Sequence, residues 1–170
     1  RAAVSAAMGG QAYEAQALLR LCLEHGAYGY YIGADTARME LWLRRGDSEA
    51  NRKAVRKEFH NEKLREYIKT QAPVMSTMFD NLYNQLIELG AHPNERGYSL
   101  HSAINRQEDS VQVQAVYLQG DGPPLDASLT VAAQVGLWTL RIMQLIYRER
   151  FELLGLRHQL EKWVVSNAIG

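Results

Sequence analysis

With 170 residues the chain is expected to form a single domain long enough to bury a real core, and its 46% hydrophobic and 22% charged composition is ordinary for a globular protein. Nineteen basic side chains balance nineteen acidic ones. That excludes a general field for attracting nucleic acid or an anionic membrane, and it removes one defence against self-association.

The single cysteine, Cys22, excludes an internal disulfide, so the chain does not depend on an oxidising compartment. Lying between Leu21 and Leu23, it reads as a small core residue. The chain begins at Arg1 rather than Met, and residues 1–170 are read as a piece of a longer protein. "RAAVSAAMGG" lacks the apolar centre of a secretory signal, and a cytoplasmic location is expected.

The first helix is predicted over Ser5–Ile32. Leu18, Leu21, Cys22, His25, Tyr28, Gly29 and Ile32 form its inward stripe at helical spacing, and Leu19, Leu23, Tyr30 and Tyr31 widen it, so the helix is expected to be covered on more than one side. Gly26, Gly29 and Gly33 cost helix propensity, and their expected use is the close approach of a neighbouring helix. "GADTARMELWLRRGD" reads as a short helix capped by Asp35 or Thr36 and ended by Gly46, with Trp42 and Leu43 inward. Ser48 caps the next segment, which is apolar at Val55, Phe59, Leu64 and Ile68 and breaks near Asn61. Arg52, Lys53, Arg56 and Lys57 could face RNA there, but Glu49, Glu58 and Glu62 between them favour a solvated face.

"APVMSTMFDNLYNQLIELG" is the cleanest helix. Pro73 stands in its first turn, and Met75, Met78, Phe79, Leu82, Leu86 and Leu89 line its core side. "ELGAHPNERG" then stops it: Gly90 takes a left-handed conformation and Pro93 prevents resumption. The pattern next changes to twofold alternation in "GYSLHSAI" and "VQVQAVYL", joined by "NRQEDS". This predicts a β-hairpin at about residues 98–118, with one face packed on the helices or on another chain. A long helix starts at Asp126 or Ser128. It is apolar all round from Leu129 to Tyr147, but Gln134, Arg141 and Gln144 make a membrane span expensive, so it reads as a central buried helix. "LRHQLEKWVVSNA" closes the chain as a final helix.

No phosphate loop, Cys-x-x-Cys, His-Glu-x-x-His or Gly-x-Ser-x-Gly motif occurs. None of His25, His60, His92, His101 and His158 pairs with another at helical spacing, so neither a metal site nor a cofactor is expected. Polar residues do stand where apolar ones belong. His25 falls on the first helix's stripe, and Arg141 sits inside the most apolar helix, where a guanidinium needs a carboxylate such as Glu24 or Glu14. Arg20 and Glu24 are four apart and can pair on the helix surface. His92 and Asn94 flank Pro93, and both side chains can donate and accept. The candidate ligand-binding set is therefore Glu24, His25, His92, Asn94 and Arg141, with Arg20 beside it; "GAHPN" is expected to point His92 or Asn94 back toward the first helix.

A long first helix with polar residues, followed by a helix-ending "HPN", resembles several uncharacterised bacterial all-helical families grouped loosely with HEPN-type domains. The resemblance covers roughly Tyr13 to Asn94. It implies an all-helical, often dimeric protein that in some members cleaves RNA through Arg, four to six residues, then His. "RLCLEH" carries that spacing through Arg20 and His25, and "RGYSLH" through Arg96 and His101.

The sequence therefore predicts an all-α bundle of five or six helices with an inserted β-hairpin. The expected function is a non-enzymatic binding or regulatory domain that forms a homodimer and stays off the membrane; its polar cluster of Arg20, Glu24, His25, His92, Asn94 and Arg141 is either structural or takes a small polar ligand, with RNA as a further possible partner. The alternative is an HEPN-like ribonuclease in which Arg20 holds a phosphate and His25 is the acid or base.

Overall fold

Gly9 and Gly10 split the predicted first helix. Gly10 adopts φ +81°, and its carbonyl accepts from the Gln119 amide at 2.9 Å. A Cβ there would lie 2.6 Å from the Gln119 carbonyl oxygen, so only glycine fits. The result is α1 (Ala2–Met8) and α2 (Ala12–Gly33). The computed structural model describes residues 1–92, 94–100, 102–116 and 118–167, with the backbone alone at Arg96, Leu100 and 164–167. It is an all-α helical bundle with one inserted two-stranded antiparallel hairpin.

Along the chain follow α3 (Thr36–Leu43), α4 (Glu49–Glu58), α5 (Asn61–Gln71), α6 (Pro73–Leu86) and α7 (Glu95–Leu100). The strands are β1 (Ser102–Arg106) and β2 (Val111–Ala115), followed by α8 (Pro123–Ile146), α9 (Arg148–Leu153) and α10 (Leu156–Asn167). Capping follows the expected chemistry. The Asp35 carboxylate accepts from the Ala37 and Arg38 amides, and the Ser48 hydroxyl accepts from the Asn51 amide. Helix α8 starts earlier than predicted, at Pro123. Prolines suit a first turn because their missing N–H groups would have had no helical partner, and the Gly122 carbonyl takes the Leu125 and Asp126 amides instead.

Contacts divide the chain into two compact units. Arg1–Leu23 and Phe79–Gly136 make the first; Glu24–Met78 and the segment from Leu137 make the second. In the first unit Ala12, Ala15, Leu19, Leu23, Phe79, Leu82, Leu86, Val131 and Val135 are buried. Gln16 is buried there too and donates to the Ser128 hydroxyl at 3.0 Å, tying α2 to α8. In the second unit Tyr30, Tyr31, Val55, Phe59, Leu64, Ile68, Met75, Trp138 and Ile142 are buried, each full burial stabilising by roughly 1.5–3 kcal/mol. The Trp138 indole N–H donates to the Met75 carbonyl at 2.8 Å. The three glycines of α2 lie against α8: a Cβ at Gly26 would meet the Trp138 ring at 3.1 Å, at Gly29 Met143 at 2.8 Å, and at Gly33 Ile146 at 2.9 Å.

The buried face of α2 follows the predicted flank, Leu19, Leu23, Tyr30 and Tyr31, rather than the predicted centre. Leu18, Leu21, Cys22 and His25 are exposed, while Ala12, Ala15, Leu19, Leu23, Gly26, Ala27 and Tyr30 face inward. Small residues share the packed face with Leu19, Leu23 and Tyr30, while Leu18 and Leu21 ride outside. Cys22 is thus a surface thiol and not a core residue. Trp42 and Leu43, both expected inward, are both exposed, although Trp42 rests edge-on against Phe59 with ring centroids 4.9 Å apart.

Helix α8 is not buried all round. Ser128, Val131, Val135, Trp138 and Ile142 form one inward stripe, and Leu140 and Leu145 are exposed. By length and composition this helix could cross a membrane, and only 22% of its most apolar window is buried. The hairpin is shorter than predicted, because residues 98–100 belong to α7. Its strands pair Ile104 with Val113 and Arg106 with Val111, and neither face is covered by helices as expected: Ile104, Val111 and Val113 are all exposed.

Candidate functional site

Asn94, Glu95 and Gly97 contribute to one wall of a cleft in the first unit. Helix α6 ends in a widened turn over Ile87–Ala91, closed by Gly90 at φ +123°. A Cβ on Gly90 would lie 2.6 Å from the Tyr13 ring, so glycine is required both for the turn and for its approach to α2. Gly97 completes the fit: a Cβ there would sit 3.0 Å from the Gly90 Cα.

Asn94 is the N-cap of α7. Its side-chain oxygen accepts from the Gly97 amide at 2.7 Å, and its side-chain amide donates to the carbonyls of Ile87 and His92 at 2.6 and 2.8 Å. One asparagine thus ends α6, starts α7 and fixes the chain between them. Pro93, expected to enforce the stop, lies outside the described residues.

The turn does meet the first long helix, though through its backbone. Arg20 donates to the Ala91 carbonyl at 3.3 Å and to the Tyr83 hydroxyl at 3.0 Å, with its guanidinium 5.1 Å from the Tyr83 ring centre. His92 is exposed. His25 is exposed as well and belongs to the second unit, as do Glu24 and Arg141, while Arg20, His92 and Asn94 belong to the first. Arg141 is half-buried rather than buried, and among the described residues no carboxylate pairs with it. His101 lies outside the described residues.

The cleft has a volume of about 640 Å³, within the range of small-molecule sites. Tyr13 and Glu14 at the start of α2 form one side. Asn94, Glu95, Gly97, Tyr98 and Ser99 of α7 form a second, and Ser102, Ala115 and Val116 of the hairpin region a third. Among the described residues Asn94 is the single sequence candidate that lines it. The others were missed because three separate stretches converge here, and the alternation in "GYSLHSAI" masked a short helix. The legible signal was Asn94 followed by Glu95, a helix start.

Two further polar groupings are closed. A cavity of about 180 Å³ lies beside Gln16 and Ser128, where the Gln16 Oε1 is buried and has no hydrogen-bond partner among the described residues. In the second unit Arg38 stacks over Tyr31 at 4.0 Å and Tyr67 at 4.5 Å, and donates to the Tyr31 carbonyl at 2.9 Å. Glu58 there accepts from Lys63 at 2.7 Å and Tyr31 at 2.9 Å. The Lys63 bond, then the Tyr31 bond, hold its carboxyl below the usual range. Burial first, and then that same bond, push the Tyr31 phenol up. Every charge in this network has a partner, which makes it a structural clasp.

Among the described residues no group of three or more His, Cys, Asp or Glu could hold a metal ion. The chain matches no protein-family model, no curated protein and no solved structure.

Proposed function

We propose that this is a non-enzymatic helical binding domain that takes a small polar ligand in the cleft between α2, α7 and the hairpin, and that self-associates through the hairpin. The observation that carries the binding reading is the cleft itself. It is large enough for a small molecule and is walled by carboxylates, hydroxyls and two tyrosines around a rigid, glycine-fitted turn. Its described lining residues supply carboxylates, hydroxyls and aromatic rings, groups suited to holding a polar ligand.

Self-association is supported by the hairpin's composition. Ile104, Val111 and Val113 lie on one face of a two-stranded ribbon, all exposed, and such a ribbon is marginal alone. The absence of net charge does nothing to keep two copies apart. Light scattering at micromolar concentration should return twice the 19.2 kDa of one chain. Replacing the facing pair Ile104 and Val113 by lysine should return the monomer mass; a monomer before that change ends the dimer reading. Gln134, Arg141 and Gln144 along α8 support a protein that stays off the membrane and in the cytoplasm.

The competing reading is an HEPN-like ribonuclease, supported by the Arg20–His25 spacing in "RLCLEH". Arg20 is already engaged by Tyr83 and Ala91, so it would have to leave both to hold a phosphate. RNA cleavage lost in Arg20→Ala and His25→Ala would replace the binding reading with this one.

A further inference from the structure

The polar side chains in the wall of the cleft have had most of their donors used up. The Ser99 hydroxyl donates to the Glu95 carbonyl at 2.8 Å, and the Ser102 hydroxyl to the Tyr98 carbonyl at 2.7 Å. Each then has only lone pairs left for a ligand. Both side-chain amide protons of Asn94 go to the Ile87 and His92 carbonyls. Glu14 and Glu95 are acceptors only when ionised, and among the described residues neither has a cation paired with it. No described lysine, arginine or histidine side chain lines the cleft. The rings of Tyr13 and Tyr98 also line the cleft, and their faces attract positive charge.

From this accounting we infer that the cleft selects a small organic cation presenting a primary ammonium or guanidinium group. Such groups carry several donors and no acceptor, the complement of a wall built from two carboxylates and two hydroxyl oxygens whose protons are committed elsewhere. Among the described lining residues an anion would meet the carboxylates of Glu14 and Glu95, so phosphates and carboxylates are disfavoured. The apolar part of the ligand would lie on Ala115, Val116 and the tyrosine rings. This inference rests on the reading of the cleft as a ligand site.

The test is calorimetric titration of the protein with agmatine, which carries an ammonium at one end and a guanidinium at the other. Pentanol serves as an uncharged comparison and glutarate as an anionic one. Saturable agmatine binding is expected, weakened about tenfold in Glu14→Gln and again in Glu95→Gln at unchanged thermal stability, with pentanol weaker and glutarate silent. Glutarate or pentanol binding as tightly as agmatine, in a manner abolished by Ser102→Trp, would overturn the cation preference while leaving a ligand cleft. Agmatine binding indifferent to both glutamine variants would also overturn it. No binding of any of the three to the wild-type chain would remove both the preference and the ligand cleft.

Discussion

Arg20 donates to the Tyr83 hydroxyl at 3.0 Å while its guanidinium lies 5.1 Å from the centre of the same ring, so one arginine uses both the polar and the π face of one tyrosine. Its other terminal nitrogen reaches the Ala91 carbonyl, and this joins the middle of α2 to the end of α6. A residue that reads as a phosphate holder or a surface ion-pair partner is thereby a fastener for the turn that forms the cleft.

Tyr83→Phe should keep the ring contact and remove the acceptor, costing about 1 kcal/mol, the net worth of one hydrogen bond. Arg20→Met should cost somewhat more, because the Ala91 carbonyl also loses its donor. A double-mutant cycle by urea unfolding should give a coupling of about 1 kcal/mol between the two. Strict additivity would mean the contact contributes nothing.

Stability should fall on the acid side through Glu58. Its folded carboxyl is held below the ordinary value of 4.5, chiefly by the Lys63 bond and then by Tyr31. A carboxylate depressed in the folded state stabilises above its unfolded value, and that stabilisation is lost as pH falls through the folded value. Glu58→Gln should therefore be less stable than the wild type at neutral pH, and the two should converge as pH falls through the depressed folded value of Glu58. Urea midpoints that stay a constant distance apart from neutral to acid pH would remove Glu58 from the acid response.

How much of this was legible in the sequence depends on residue size. The helices themselves follow from spacing and caps: Asp35, Ser48 and Pro73 start helices where the chemistry says they should. The centre of the stripe on α2 did not follow, because weighting by hydrophobicity favours Leu18 and Leu21, whereas the helix packs on Ala12, Ala15, Gly26 and Ala27. Close approach rewards the absence of side chain, and the glycines at 26, 29 and 33 were the visible sign of it. The cleft was less legible still. Glu14, Glu95 and Ser102 are unremarkable polar residues until α2, α7 and the hairpin converge, and no periodicity within one segment reports such convergence.

Two glycines should respond in opposite ways to alanine. Gly136 lies within α8 and a Cβ there would meet nothing within 4 Å, so Gly136→Ala should stabilise by about 1 kcal/mol through helix propensity alone. Gly29→Ala, on a helix of equal regularity, would drive a Cβ to 2.8 Å from the Met143 terminal methyl. The flexible methionine can give way, so the propensity gain should be offset and the net change should be near zero or unfavourable by about 1 kcal/mol. Thermal melts in which both variants gain equally would show that α2 and α8 are not in close contact at Gly29.

The last prediction concerns Gly90 and Tyr13. Gly90 holds φ +123°, a region costing an L-residue about 1–3 kcal/mol, and a Cβ would also stand 2.6 Å from the Tyr13 ring. Gly90→Ala should thus destabilise by about 3 kcal/mol, from backbone strain and collision together. The two causes are separable. Tyr13→Ala removes the ring that is struck, so Gly90→Ala made in that background should cost less, with the backbone part alone remaining. Because Tyr13 lines the cleft, the single Gly90→Ala change should also weaken agmatine binding by displacing the ring, whereas Gly136→Ala, whose new Cβ meets no neighbour, should leave binding untouched. Urea unfolding and calorimetry on the four proteins of the cycle read both effects. An equal cost for Gly90→Ala with and without the Tyr13 ring would show that the turn is set by the backbone alone and that the ring does not report on it.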